Sequence, residues 1–130
     1  MEPGTLLFSL LSQAAPVVAL LGAAGGQVKV YPVVAPQGTP RPYCCYQLVS
    51  GGAAPGSSAI CRLGDVARVQ LSLFADDYPT LASLTAAIRG VLDYAEPEPG
   101  VYLEFDNPQD HHDPQALCLY RTLDYHVELP

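Results

Sequence analysis

The sequence predicts an α+β fold: a mainly antiparallel sheet of about five strands with two helical regions packed on one face. Leucines recur at helical spacing over residues 6–11 and 81–92, whereas apolar and polar residues alternate over 68–74 and 117–128. Most consecutive strands lack an intervening helix, which favours antiparallel hairpins. By length, residues 1–130 are expected to form a single domain with a sizeable core.

The first helical region is predicted to begin near Thr5, which can serve as its N-cap. Because Pro16 cannot occupy a regular helix interior, a break is expected within residues 12–15. A short second segment, Pro16–Leu21, then ends at Gly22. The leucines that form the core face of the first segment are Leu6, Leu7, Leu10 and Leu11.

Residues 5–24 are apolar enough to raise the possibility of a signal peptide or a membrane span. No positively charged residue precedes them, and Ser12, Gln13 and Pro16 interrupt the run. Both features argue against export and membrane insertion. We therefore expect core-facing helices in a protein that is made in the cytoplasm and has no membrane partner.

The central stretch, Val28–Val49, is predicted to form a strand, a long loop and a second strand. The loop, Pro32–Pro42, contains four prolines and Gly38, so neither a helix nor a central strand can pass through it. A long ordered loop in a small domain often contacts a partner. Composition supports a simple surface crossover equally well.

The remaining elements follow from alternation, helix-start signals and turn residues. Asp76-Asp77-Tyr78-Pro79 has the acids and the early proline that are typical of a helix N-terminus. The predicted order is a mobile hairpin loop at 50–58, a strand at 66–74, a helix from Asp76 to about Tyr94, a strand at 101–105, a polar turn at 107–114 and a last strand at 116–129. Arg121 falls on the apolar side of the last strand, which leaves a strand end, a bulge or a buried ion pair as explanations.

Charge and cysteine content exclude some classes of protein. The formal net charge is −7, Lys29 is the single lysine, and the arginines are scattered, so a basic nucleic-acid-binding patch is not expected. None of the four cysteines lies in a C-x-x-C pair, and no histidine lies at zinc-ligand spacing from a cysteine pair. Cys44, Cys45, Cys61 and Cys118 are predicted to be reduced, with small buried side chains.

No set of residues at catalytic spacing emerges, so we expect no enzymatic activity and no cofactor. His111-His112-Asp113 could supply metal ligands, but a solvated polar turn explains the same residues. Asp76-Asp77 serves first as a helix start, and Ser57-Ser58 lacks a nucleophile elbow. The eight tyrosines lie mostly on or beside strands, which fits a sheet whose second face is covered by a partner.

Several short motifs occur in an order that resembles a known family. They are V-Y-P at 30–32, A-P-Q-G-T-x-x-P-Y at 35–43 followed by Tyr46, R-V-Q at 68–70, D-x-Y at 76–78 and D-Y-x-V at 124–127. Together with the leucine-rich first helix, this order resembles the tail completion, or tail terminator, proteins of long-tailed bacteriophages and prophages. The resemblance extends from about Leu6 to Val127, and the proline-rich loop is its most specific part.

The resemblance implies a structural protein of the virion, located in the tail or neck. Such proteins form a ring, typically of six copies, at the head-proximal end of the tail tube. There the ring stops polymerisation of the tube and docks onto the head connector. The implied partners are further copies of the chain, the tube protein, a connector or stopper protein, and DNA as passing cargo.

Within that hypothesis, two sets of residues are predicted to make contacts. The proline-rich loop would touch a neighbour or the tube through Pro36, Gln37, Gly38, Arg41 and Tyr43. The channel wall would carry Asp106, Asp110 and Asp113, because acidic walls let DNA slide without sticking. The alternatives are a head-closure or neck adaptor, and a small metal-binding hydrolase that uses His111, His112 and a nearby acid.

Overall fold

The computed structural model describes residues 2–61 and 63–130. The helices are α1 (Pro3–Gln13), α2 (Ala15–Leu21) and α3 (Tyr78–Leu92), with a short 3₁₀ helix at Ala24–Gly26. The strands are β1 (Val30–Pro32), β2 (Tyr43–Ala53), β3 (Asp65–Ala75), β4 (Tyr102–Asp113) and β5 (Cys118–Leu129). This architecture confirms the predicted α+β class.

The helix starts follow the capping rules, with one correction. The predicted cap at Thr5 is wrong: Glu2 is the N-cap of α1, and its carboxylate accepts a hydrogen bond from the backbone N–H of Gly4 at 3.1 Å. A break before Pro16 is confirmed, because Ala14 is extended between α1 and α2. Asp77 caps α3 by accepting from the N–H of Thr80 at 2.8 Å, a bond that lowers the pKa of its carboxyl.

No single described helix is long and apolar enough to cross a membrane. The pair α1 and α2 meets the length and composition test together, but the two helices are bent by 86° at their break.

The sheet has the strand order β1-β2-β3-β5-β4. β1 pairs parallel with β2, and the other neighbours pair antiparallel. Since β3 and β4 both run antiparallel to β5, they are parallel to each other, and α3 is the crossover that connects them. The expected hairpin between the first two strands is therefore wrong. Residues 33–42 return the chain to the end of the sheet where β1 began, so that β2 runs parallel to β1 and Val30 aligns with Cys44.

Two strands extend further than the sequence predicts. β2 continues through Ser50-Gly51-Gly52 to Ala53, where a mobile loop was expected, because β3 supplies a partner along this whole stretch. β4 continues through the expected polar turn to Asp113, with a bulge between Phe105 and Asn107. Its second half is polar because it is an edge strand with exposed side chains, so neither face shows apolar alternation.

The hydrophobic core lies between the three helices and one face of the sheet. β3 alternates buried and half-buried residues along its central length, as predicted for a strand with one buried face. α1, α2 and α3 cover that face with buried aliphatic side chains, among them Leu7, Leu11, Val17, Leu21, Leu81, Leu84, Ile88 and Leu92. The tightly packed partners from the sheet include Val69, Leu71, Leu73, Leu103, Leu123, Tyr125 and Val127.

Tyr125 joins the core to the end of α3 by a buried polar contact. Its side chain is fully buried, and its hydroxyl donates to Asp93 Oδ1 at 2.7 Å. Burial raises the pKa of Tyr125, and the bond to Asp93 raises it further, so the hydroxyl stays a donor at neutral pH.

Replacing Tyr125 by Phe is expected to lower the free energy of unfolding by about 1–2 kcal/mol, because a buried donor to a carboxylate is lost. Tyr102→Phe is the matched control, since the Tyr102 side chain is about half exposed. Chemical denaturation followed by circular dichroism would compare the variants. Equal losses in both would show that the bond to Asp93 does not stabilise the fold.

Candidate interaction surfaces

The sheet presents one face to the helices and leaves the other without a described helix. Alternation along the strands assigns odd-numbered residues of β3 and β5 to the helix-covered face and even-numbered residues to the open face. Cys44 and Cys45 lie on opposite faces, as expected from their adjacency, and both are buried, as is Cys118. The prediction of a buried side chain is wrong for Cys61, which is exposed in the segment between β2 and β3.

A row of stacked rings crosses the open face near one end of the sheet. Tyr43 stacks on Phe74 with ring centroids 4.8 Å apart, and Phe74 stacks on Tyr120 at 5.2 Å. His111 continues the row from β4, 4.6 Å from Tyr120. Each ring lies directly across from the next in the strand register. The row replaces a second layer of helices as cover for this end of the sheet.

Ion pairs cover the middle of the open face. Arg68 Nη2 donates to Asp106 Oδ2 at 2.7 Å and lies 3.2 Å from His126 Nε2. Gln70 Nε2 donates to Asp124 Oδ1 at 3.1 Å. Asp106 reaches this cluster because it is the extra residue of the β4 bulge.

Carboxylates outnumber guanidinium groups on the described part of this face. Arg68 is the arginine that lies among them, and it is partly neutralised by Asp106 and Asp124. The acids that the strand register brings to this face are Glu104, Asp106, Asp113, Asp124 and Glu128. The open face is therefore acidic, in line with the net charge of the chain.

The structure divides the predicted loop residues into two groups. Pro36, Gln37 and Gly38 are exposed at a turn that is closed by Thr39, whose hydroxyl donates to the carbonyl of Pro36 at 2.6 Å. Gly38 has φ 84°, which favours glycine at this turn. Nearer the sheet, Arg41 pairs with Asp76, and Tyr43 belongs to the aromatic row.

The three predicted channel acids have different surroundings. Asp106 lies on the open face beside Arg68 and His126. Asp113 ends β4, and its Oδ1 accepts from the backbone N–H groups of Gln115 and Ala116. Asp110 lies on the helix side of β4, so the structure brings the first two to one face and separates the third from them.

Asp110 explains the arginine that the sequence placed on the apolar side. Arg121 forms an ion pair with Asp110, donates to Thr85 Oγ1 at 3.0 Å and donates to the Tyr78 hydroxyl at 2.9 Å. Of the three explanations left open, an ion pair is correct, but it is not a fully buried pair, because the side chain of Asp110 is about half exposed. Hydrogen bonding from Arg121 lowers the pKa of Asp110. The cluster ties both β4 and β5 to α3.

The possible metal ligands do not converge. His111 faces the open side and stacks on Tyr120, whereas its neighbour His112 is exposed on the other side of β4. They lie on a strand and not in the polar turn that the sequence predicted. Within residues 2–61 and 63–130, no group of three His, Cys, Asp or Glu side chains is placed to hold a metal ion.

Sequence reasoning missed a set of exposed apolar residues at the edges of the sheet. Leu48 and Val49 lie on β2, and Tyr94 follows α3 with 84% of its surface exposed. Among the described residues, the non-glycine residues with a positive φ are Val33, Tyr94 and Leu117, and all three are exposed. Such conformations are costly for β-branched and bulky residues. No local pattern distinguishes these positions from core residues, since exposure depends on the strand order.

Comparisons with known proteins show a family and include a structural likeness to a chain of a virion. A family model described as tail completion protein gp17 matches residues 5–127. A chain of the "Virion of native gene transfer agent (GTA) particle" is 21% identical with a TM-score of 0.71, and the match covers 98% of this chain and 93% of that chain. At this identity the likeness shows the fold. A comparison with curated proteins found no match.

The Arg121–Asp110 pair predicts a pH dependence of stability. The pKa of Asp110 is lower in the folded state than in the unfolded chain, so the ionised carboxylate contributes to the free energy of unfolding. This contribution is fully present above the ordinary carboxyl pKa of about 4, and it is lost as pH falls through the pKa of the folded state. Asp110→Asn should lower stability at pH 7 by no more than about 1 kcal/mol, as for a partly exposed pair. The difference from the unmodified chain should shrink below about pH 4. Urea unfolding at several pH values would measure it, and a difference that stays constant from neutral to strongly acidic pH would contradict the assignment.

Proposed function

Since the chain belongs to the family of tail completion protein gp17, we propose that it assembles as a ring at the head-proximal end of a tail tube. There the ring ends polymerisation of the tube and joins the tail to the head connector. The family confirms the resemblance found in the sequence motifs. A ring of six copies is the form implied by that resemblance.

The observation that carries the proposal is the extent of the family match. Residues 5–127 include all five strands, apart from the end of β5, and nearly all of the helices, so the match describes the whole fold and not a local motif. Family membership and the fold shared with a virion chain make this a structural protein of a virion tail. The proposal adds the ring, the position in the neck and the end of tube growth.

The acidic open face supports a role as a channel wall. DNA is dense in negative charge, so a wall that carries carboxylates does not retain it, whereas a basic wall would. Asp106 and Asp113 lie on this face. Asp110 lies on the helix side of the same strand and pairs with Arg121, so under this proposal it faces away from the channel.

The proline-rich loop supports a contact with a neighbour or the tube. The exposed tip, Pro36-Gln37-Gly38, sits on a turn closed by Thr39, while Lys29 Nζ donates to the carbonyl of Pro40 at 3.1 Å. The loop is thus held in shape and still presents its polar tip. A preorganised loop loses little conformational entropy when it binds.

The ring is tested first on assembled particles. Purified particles should contain the protein in a fixed ratio to the connector, and an image of the neck should show it as a ring between connector and tube. A ring located on the head before tails are attached would instead support a head-closure adaptor. Absence of the protein from purified particles would contradict the proposal.

Changing Gln37 and Arg41 to Ala should impair the joining of tails to heads, because both side chains would contact a partner. The melting temperature should remain almost unchanged, since Gln37 is exposed and the Arg41–Asp76 pair lies at the surface. Gln115→Ala, at an exposed turn on another part of the chain, is the matched control. A collapse in stability would show that the loop is part of the framework.

Replacing both Asp106 and Asp113 by Asn should slow the release of DNA from particles at low salt. The side-chain oxygens that Asp106→Asn and Asp113→Asn retain can still accept hydrogen bonds from Arg68 and from the two turn N–H groups, so the fold is preserved. High salt should remove the difference, because it screens the interaction with phosphates. Glu96→Gln, outside the sheet, serves as the control. Equal release rates at all salt concentrations would show that these acids do not face the DNA.

A further inference from the structure

One edge of the sheet is left unpaired along half its length. β1 pairs only with Cys44–Tyr46 of β2, and the N–H of Val33 makes the last bond, to the carbonyl of Tyr46 at 2.7 Å. The chain then turns away, since the N–H of Val34 bonds to Pro32. Within the described residues, the outer side of 47–53 has no backbone partner.

This free edge lacks most of the features that block strand pairing in monomeric proteins. Residues 47–53 contain no proline and no charged side chain, although a bulge interrupts them at Val49. Leu48 and Val49 are about half exposed, and Val33 and Val34 beside them are more exposed still. An aliphatic, uncharged edge of this kind is a template for a further strand.

The opposite edge of the sheet offers a complementary surface at the same end. The sheet row Gly52–Val66–Glu128–Tyr102 runs from the free part of β2 to the start of β4. Beside it lies an open cavity of about 290 Å³ lined by Tyr94, Tyr102, Leu103, Glu104 and Glu128. Tyr94 holds its exposed ring there at a φ of 58°, a strained conformation of the kind that persists at functional sites.

The strand directions allow the two edges to join. β2 runs parallel to β5 and antiparallel to β4, because each neighbouring pair between them is antiparallel. If copies repeat around an axis roughly along the strands, β4 of one copy meets β2 of the next in antiparallel orientation. A contact between two different edges is heterologous, and it closes into a ring when the rotation is suitable.

We propose that residues 47–53 of β2 pair with the first half of β4 from the neighbouring copy, so that the sheets of the ring are continuous. This inference rests on the ring in the proposed function and names its subunit contact. In this pairing Gly52 and Ala53 reach the cavity beside Tyr94 and Tyr102, while Leu48 and Val49 lie against the middle of β4. A second copy is the partner because both complementary edges lie on this one chain.

The backbone bonds fix which groups are free for this pairing. The backbone N–H of Leu103 points away from β5 and donates to the carbonyl of Ala95 at 3.1 Å. Because this direction alternates along a strand, the backbone N–H and C=O of Phe105 also point away from β5. When the alternation is followed from β4 through β5 and β3 to β2, the backbone N–H and C=O of Gly51 point away from β3, toward the free edge. Pairing Gly51 with Phe105 of the next copy places Gly52 opposite Glu104.

Disulfide trapping tests this register. The variant Gly52→Cys with Glu104→Cys, in a Cys61→Ser background, should give a ladder of cross-linked species up to the ring size when particles are oxidised. Each single variant should give none. The control pair is Gly52→Cys with Gly90→Cys, since both sites are open and Gly90 lies on α3. The remaining cysteines, Cys44, Cys45 and Cys118, are buried.

A second test removes one backbone donor. Gly51→Pro deletes the outward N–H, whereas Gly51→Ala adds a Cβ in ordinary contact and keeps the N–H. The proline variant should enter particles about tenfold less than the alanine variant, with similar circular dichroism spectra for the two purified chains. Equal incorporation would overturn the pairing.

The outcomes separate this inference from the proposed function. Rings that are present but give no ladder would overturn the edge pairing and leave the ring intact. A ladder that stops at dimers would overturn the head-to-tail arrangement. Particles without a ring would overturn both proposals.

Discussion

The structure depends on the burial of only one face of its sheet. Three helices supply the apolar cover, and β3, at the centre, alternates buried and half-buried side chains to match it. The other face must then stay stable in water with no second layer. It does so through a row of four stacked rings and through ion pairs around Arg68, which cover the backbone while leaving polar groups at the surface.

One-sided burial also determines what the molecule offers to others. The open face, the two sheet edges and the proline-rich loop are all free of the core, so contacts there do not compete with folding. The two adjacent histidines, His111 and His112, point to opposite sides of β4. Surfaces of this kind suit a structural tail protein, which makes contacts with other components of the virion.

The sequence predicts best where burial imposes a period. α3 and β3 have strong apolar periodicity, and their positions are confirmed to within a few residues. The second half of β4 was missed because an exposed edge strand with a bulge has no such period. The parallel pairing of β1 was missed because parallel neighbours usually need a longer crossover than residues 33–42 provide. The partner of Arg121 depends on strand order, which periodicity does not specify.

The exposed apolar residues complete this account. Val33 and Tyr94 adopt left-handed backbone conformations that cost free energy, and their side chains are not covered by the core that would offset this cost. Within one chain, such residues are a net loss of stability. They lie at opposite edges of the same sheet, so in the proposed ring one neighbour would cover Val33 and the other neighbour would cover Tyr94. Burial of these side chains on assembly would then offset the cost of the left-handed conformations, and it would do so only when the neighbour is in the correct register.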